Sequence, residues 1–93
     1  MRAASYYMLS FSSTHYALQA ERCLAPLVPV CAMPTLRAVS QSCGISLRVE
    51  EADQAALKAA LLNGFPIERG LYSLYRVRGG APEPAAPEAL ADA

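Results

Sequence analysis

Cys43 is followed at once by Gly44, and it stands in a stretch, Cys23 to Val49, that holds no Asp or Glu. The only charges there are Arg37 and Arg48, both positive. The thiolate is the nucleophilic form of cysteine, and nearby positive charge favours it over the thiol. Cys43 is therefore the candidate reactive group of the chain. It lies in Pro34–Gly44, P-T-L-R-A-V-S-Q-S-C-G, where Arg37, Ser42 and Gly44 are its closest companions of interest. His15 is the only histidine, and it follows Ser13 and Thr14. An imidazole can serve a thiol as base or hydrogen-bond partner. Each residue also has a plain structural reading. A free cysteine is often buried and inert. Ser13 and Thr14 are N-cap types. A lone His in the first turn of a helix is commonly surface, and Arg37 can be a solvated loop residue. The chemical reading rests on their convergence.

Convergence requires elements that bring distant segments together. Tyr6–Phe11 is aromatic and apolar, as strands are, with Tyr7, Leu9 and Phe11 on the face assigned to the core. Ser12-Ser13-Thr14 offers three N-cap candidates before a helical stripe of Tyr16, Ala20, Cys23, Leu24 and Leu27. Pro26 ends that helix, which is predicted over roughly Thr14 to Ala25. Val28–Met33 is the second strand, and Pro29 marks it as an edge. Cys23 then reads as a core residue and Cys31 as structural. The Pro34–Gly44 stretch exceeds the usual hairpin loop of about two to five residues. Within it, Thr35 can cap one helical turn through Leu36–Val39. Ile45, Leu47 and Val49 alternate with Ser46 and Arg48 as a third strand, predicted to share a buried face. Asp53 caps a second helix whose buried stripe is Ala56, Leu57, Ala60 and Leu61, stopped at Asn63-Gly64. Leu71–Val77 is the fourth strand.

The order β-α-β-β-α-β predicts an α+β, ferredoxin-like fold: a four-stranded antiparallel sheet ordered four-one-three-two, with two helices on one face. The end of the first strand then lies beside the start of the third. Ser13, Thr14 and His15 come near Cys43, and the first helix aims its unpaired N–H groups at the same end. The other sheet face, bearing Tyr6, Met8, Ser46 and Arg48, is expected to be half open. An apolar patch there favours a homodimer.

Ninety-three residues make one domain, read as residues 1–78. Residues 79–93 are Gly, Pro, Ala and acid, and are expected to form a disordered tail. All eight Lys and Arg lie at or before Arg78, while Glu83, Glu88 and Asp92 lie beyond it. This weakly basic core lacks the clustered cationic face of a nucleic-acid binder. Three cysteines with no C-x-x-C argue against a disulfide framework, a zinc site or a redox pair, and point to a reducing, cytoplasmic compartment. No run approaches a membrane span or a signal-peptide core, so no membrane partner is expected.

At S-F-S-S-T-H-Y-A-L-Q-A-E (Ser10–Glu21) and M-P-T-L-R-A-V-S-Q-S-C-G-I-S-L-R (Met33–Arg48) the chain resembles a small bacterial family described as selenium/sulfur carrier protein-like. Its members pair an F-x-S-T-H-x-A helix start with a P-T-P-R-x-[IL]-S-x-S-C-G loop and an L-R strand. Ser13-Thr14-His15, Pro34-Thr35, Arg37, Ser40, Ser42-Cys43-Gly44 and Leu47-Arg48 match. Leu36 departs from the family's usual Pro, and Ser12 from a frequent Pro, which touches loop stiffness and not the thiol. The resemblance implies a carrier more than a turnover enzyme. Cys43 would hold a persulfide or selenosulfide received from a donor protein and passed to an acceptor protein. His15 would assist, Ser13, Thr14, Arg37, Ser42 and Gly44 would support, and no metal or cofactor is called for. The competing expectation is a non-catalytic binding or regulatory module acting through its sheet face or loop end.

Overall fold

The computed structural model describes residues 5–36, 39 and 44–91. Seven elements follow one another: β1 (Ser5–Phe11), α1 (Thr14–Leu24), β2 (Cys31–Pro34), β3 (Ile45–Glu50), α2 (Gln54–Leu62), β4 (Tyr72–Arg78) and β5 (Ala81–Ala85), with short 3-10 turns at Glu51–Asp53 and Pro87–Ala89. They form one antiparallel sheet in the order β2-β3-β1-β4-β5.

Local chemistry explains the helix boundaries. Ser13 is the N-cap of α1, and its hydroxyl accepts from the Tyr16 N–H at 3.4 Å. Beyond Leu24 the chain winds one further turn, with the Leu27 and Val28 N–H groups both donating to the Leu24 carbonyl at 2.8 Å. That turn and Pro29, which has no N–H, delay β2 to Cys31. At the end of α2, Gly64 takes a φ of +79° after the Asn63 cap, the left-handed step that glycine makes without strain.

Both helices lie on one face. Tyr7, Leu9 and Phe11 of β1, Leu47 and Val49 of β3, and Tyr72 and Leu74 of β4 are buried there against Ala17, Ala20 and Leu24 of α1 and Leu57, Ala60 and Leu61 of α2. The predicted stripes need adjustment. Leu27 is 63% exposed, Cys23 is half-buried and Ala56 is exposed. Ile45 shares a side with Leu47 and Val49 but is 37% exposed, because it starts β3 at the rim of the helix layer.

Two expectations are corrected. The sheet has five strands, not four, because part of the stretch read as a disordered tail is β5. Gly79 and Gly80 both take positive φ, 56° and 81°, as a two-residue hairpin turn of the primed kind requires. Arg78 and Ala81 pair on either side of that turn, and the ladder continues to Leu74 opposite Ala85. Pro82 and Pro84 are tolerated because β5 is an edge strand. Leu90 then enters the helix-side core at 4% exposure.

The second correction concerns the helix-free face. Tyr6, Met8 and Val77 form a buried cluster there, with Met33, Leu36, Val39 and Tyr75 packed against it. Met8 has no exposed surface and Ser46 none. The Arg48 guanidinium stacks 3.8 Å above the Tyr6 ring and forms an ion pair with Glu50 at 2.5 Å. The expected half-open face is therefore covered, and the apolar patch that suggested self-association is buried within the chain.

Arg69 and Glu88 form a two-point ion pair that ties the segment after β5 to the approach to β4. The hydrogen bond from Arg69 holds the Glu88 carboxyl below its ordinary value. A depressed folded pKa contributes stability above the unfolded pKa, and that contribution is lost as pH falls through the folded one. Glu88→Gln is thus expected to melt slightly below the parent at neutral pH and level with it in acid below the carboxylate range. Thermal melts across pH check this. The gap should be small and shrink in salt, since both partners are exposed.

Candidate functional site

The sheet register brings one end of three strands together. Ser10, next to last in β1, lies opposite Ser46 of β3 and opposite Ser73 of β4. The end of β1 and the start of β3 are therefore side by side. From there the chain passes Ser12, whose N–H donates to the Leu71 carbonyl at 3.0 Å, and enters α1. The first turn of α1 and the start of β3 at Gly44–Ile45 share this end of the sheet.

The Pro34–Gly44 loop begins and ends here. Its neck is closed by the Thr35 N–H donating to the Gly44 carbonyl at 3.0 Å, which extends the β2–β3 ladder beyond Pro34 and Ile45. Thr35 Oγ1 lies 2.7 Å from Ser46 Oγ. The Val39 N–H donates to the Leu36 carbonyl at 3.0 Å, an i to i+3 bond of the kind expected from a single turn in this loop. Among the described loop residues, Leu36 and Val39 pack on the helix-free face.

The sequence-predicted site residues divide into two groups. Ser13, Thr14, His15 and Gly44 are described. Arg37, Ser42 and Cys43 lie outside the described residues. Ser13 is engaged in its capping bond. Thr14 and His15 are exposed in the first turn of α1. The His15 ring meets Tyr16 edge-on, with centroids 5.5 Å apart. Gly44 is exposed beside the neck. The α1 start and the Gly44 neck thus occupy the same end of the sheet.

The two other thiols differ from their predicted settings. Cys23 is half-buried on the flank of α1, and Cys31 is exposed. Cys31 stands on the edge strand β2, opposite Arg48, with its Sγ 3.6 Å from the Ala32 carbonyl. The hydrogen bond to Glu50 raises the Arg48 guanidinium further above its ordinary value, burial opposing. Among the described residues, no group of three or more His, Cys, Asp and Glu is placed to hold a metal ion. No helix among them is long and apolar enough to cross a membrane.

Sequence reasoning missed the hydroxyl cluster. Ser10, Ser46 and Ser73 are far apart in the chain, and only register sets them in one row. Alternation did put Ser10 and Ser46 on the helix-free face, so half of that signal was present.

This is a small α+β domain with a hydrogen-bonded loop neck beside a helix N-terminus. The chain belongs to the family described as "Putative Se/S carrier protein-like", whose model matches residues 6–72. That match runs from the second residue of β1 through the first residue of β4, includes the whole Pro34–Gly44 loop, and stops short of β5. Neither a search of curated proteins nor one of solved structures returned a match.

Proposed function

We propose that this chain is a sulfur or selenium carrier whose attachment point is Cys43, built on a ferredoxin-like β-α-β-β-α-β frame with β5 added. The observation that carries the reading is the family match, which spans the S-C-G loop and the S-T-H helix start together. The register supports it, since the Gly44 neck and the α1 start share one end of the sheet.

Loading requires no net redox change. The Cys43 thiolate attacks the terminal sulfur of a donor persulfide. A sulfur–sulfur bond forms to Cys43, the donor's sulfur–sulfur bond breaks, and the donor leaves as a thiolate. The acceptor's nucleophile repeats the exchange and releases the Cys43 thiolate. A terminal selenium follows the same course. Positive potential from Arg37 and the α1 N-terminus favours the thiolate on both occasions. His15, exposed on the first turn of α1, is the base or hydrogen-bond partner in this proposal. Donor and acceptor proteins of the cytoplasm are the partners.

Incubation with a cysteine desulfurase and cysteine should add one labile sulfur to the intact mass, removable by a thiol reductant. Cys43→Ser should abolish the gain. Because Cys31 is exposed, the adduct must be mapped by peptide mass spectrometry. Sulfur on Cys31 with Cys43 unmodified would overturn the assignment. Of the competing reading, a binding or regulatory module acting through its sheet face or loop end, the sheet-face form is weakened by the burial of Met8 and Ser46 on that face.

A further inference from the structure

The two edges of the sheet differ in what they offer a further strand. Alternation along an antiparallel ladder sends the N–H and C=O of successive residues to opposite sides. The Thr35 N–H donates to the Gly44 carbonyl, so Thr35, Met33 and Cys31 aim their backbone groups at β3. Pro34, Ala32 and, one step before the strand, Val30 aim theirs outward. On the far edge Arg78 and Ala81 flank the two-residue turn as a hydrogen-bonded pair, which makes Pro82 and Pro84 the outward positions of β5. Neither proline has an N–H, so that edge is closed to a full ladder. The β2 edge keeps the N–H groups of Val30 and Ala32. Among the described residues no strand pairs with β2 on its outer side. Cys31 and Ala32 are exposed there.

Apolar surface collects on the same side. The turn after β5 rests on α2, which leaves α1 as the helix on the β2 side. Cys23 of α1 lines a cleft shared with Ala60 of α2. Leu18 stands about 140° round the helix from Cys23, on the flank turned away from α2. It is 45% exposed. A cleft of about 260 Å³ runs along Ala32, Met33, Pro34, Gly44 and Ile45.

We propose that the β2 edge pairs antiparallel with the β2 edge of a second copy of this chain, the two-fold axis passing through Cys31. In that register Val30 faces Ala32 of the second copy, and Ala32 faces its Val30. Each of these pairs exchanges both N–H to C=O bonds, and no proline is asked for a donor. The edge is therefore complementary to itself in donors and acceptors. Centring the pair on Ala32 would set Val30 against Pro34 and leave the Val30 carbonyl without a donor. The Cys31-centred register sets Cys31 against Cys31 as a non-hydrogen-bonded pair. The Cα separation of such a pair, about 4.5 Å, lies within the range a disulfide spans. A two-fold axis normal to the sheet keeps both helix layers on one side. The Leu18 flanks of the two α1 helices then face each other across the seam. An extended peptide from another protein would satisfy the strand edge but leave Leu18 in water, which favours the second copy.

The test is sedimentation of the full chain over a range of concentrations in reducing buffer, with Ala32→Pro and Leu18→Lys beside it. The parent should pass from monomer to dimer as concentration rises. A32P removes one outward donor from each copy and no bond to β3. It should keep its fold by circular dichroism and weaken the dimer at least tenfold, since two hydrogen bonds are lost. L18K sets like charges across the seam without touching the strand, and should weaken the dimer as well. A second arm reads the register. Equilibration with oxidised glutathione should join Cys31 to Cys31 of the second copy: one thiolate attacks glutathione disulfide, the other attacks the mixed disulfide, and two glutathione thiolates leave. Peptide mass spectrometry locates the link. A parent that stays monomeric at every concentration overturns the proposal and leaves the edge to a strand from another protein. So does a dimer that neither variant weakens, or one in which Cys31 does not link to Cys31. If A32P fails to fold, L18K and the mapped link decide.

Discussion

Truncation after Gly79 is expected to lower the melting temperature by about 8 °C or more. The cut removes β5, which pairs with β4 from Arg78–Ala81 to Leu74–Ala85. It also removes Leu90, 4% exposed, and the buried Pro87 from the helix-side core. The Ala91 N–H donates to Gln54 Oε1 at 3.1 Å, the same atom that accepts from the Tyr7 hydroxyl at 3.0 Å. Losing the tail therefore loosens a bond network that joins α2 to β1. Burial of one leucine and several cross-strand pairs together contribute about 2–4 kcal/mol. In a domain of this size each kilocalorie corresponds to roughly 4–8 °C. Truncation also bares the β4 edge, so the shortened chain should associate more readily. Calorimetry of the two lengths, with light scattering, measures both effects. An unchanged melting temperature would mean that residues 80–93 do not dock on the sheet.

The second large effect is expected at Met8. Met8→Ala should destabilise the protein by about 2–5 kcal/mol, as truncation of a fully buried side chain does. On a half-open face the same change would fall within about 0.5 kcal/mol of zero. Met8 has no exposed surface. Around it lie Tyr6 and Val77, with Leu36 and Val39 arriving from the loop. The effect should therefore exceed that of Leu27→Ala, whose side chain is 63% exposed. Urea unfolding of the two variants makes the comparison. A Met8→Ala protein as stable as Leu27→Ala would show that the loop does not cover the sheet.

Much of the architecture was legible in the chain because it is local. Tyr7, Leu9 and Phe11 alternate. Ser13 precedes a helical run, and Asn63-Gly64 follows one. Those patterns place β1, α1, β3, α2 and β4 within a residue or two. The fifth strand was missed because its composition is that of a loop, with Pro82 and Pro84 among alanines. Its signal was nonetheless present in Gly79-Gly80, a pair suited to a hairpin turn. The cover on the helix-free face was missed for a different reason. Leu36 and Val39, three apart on one turn, carry the spacing of a small apolar contact, but nothing local says which surface they meet.

Residue type and spacing by themselves determined the candidate chemistry: a thiol in an acid-free stretch, a loop too long for a plain hairpin, and a capped helix with a histidine in its first turn. They determined membership in the carrier-like family by the same means, since its motifs are contiguous. Tertiary structure alone decided which distant residues meet. It put Ser10 between Ser46 and Ser73, left the Ser10 hydroxyl buried without a partner, and exposed Cys31 at a sheet edge. The physical reason is that cross-strand register and burial depend on pairing between segments far apart in the chain. A period-two pattern names the face a residue occupies, but not the neighbour it will meet there.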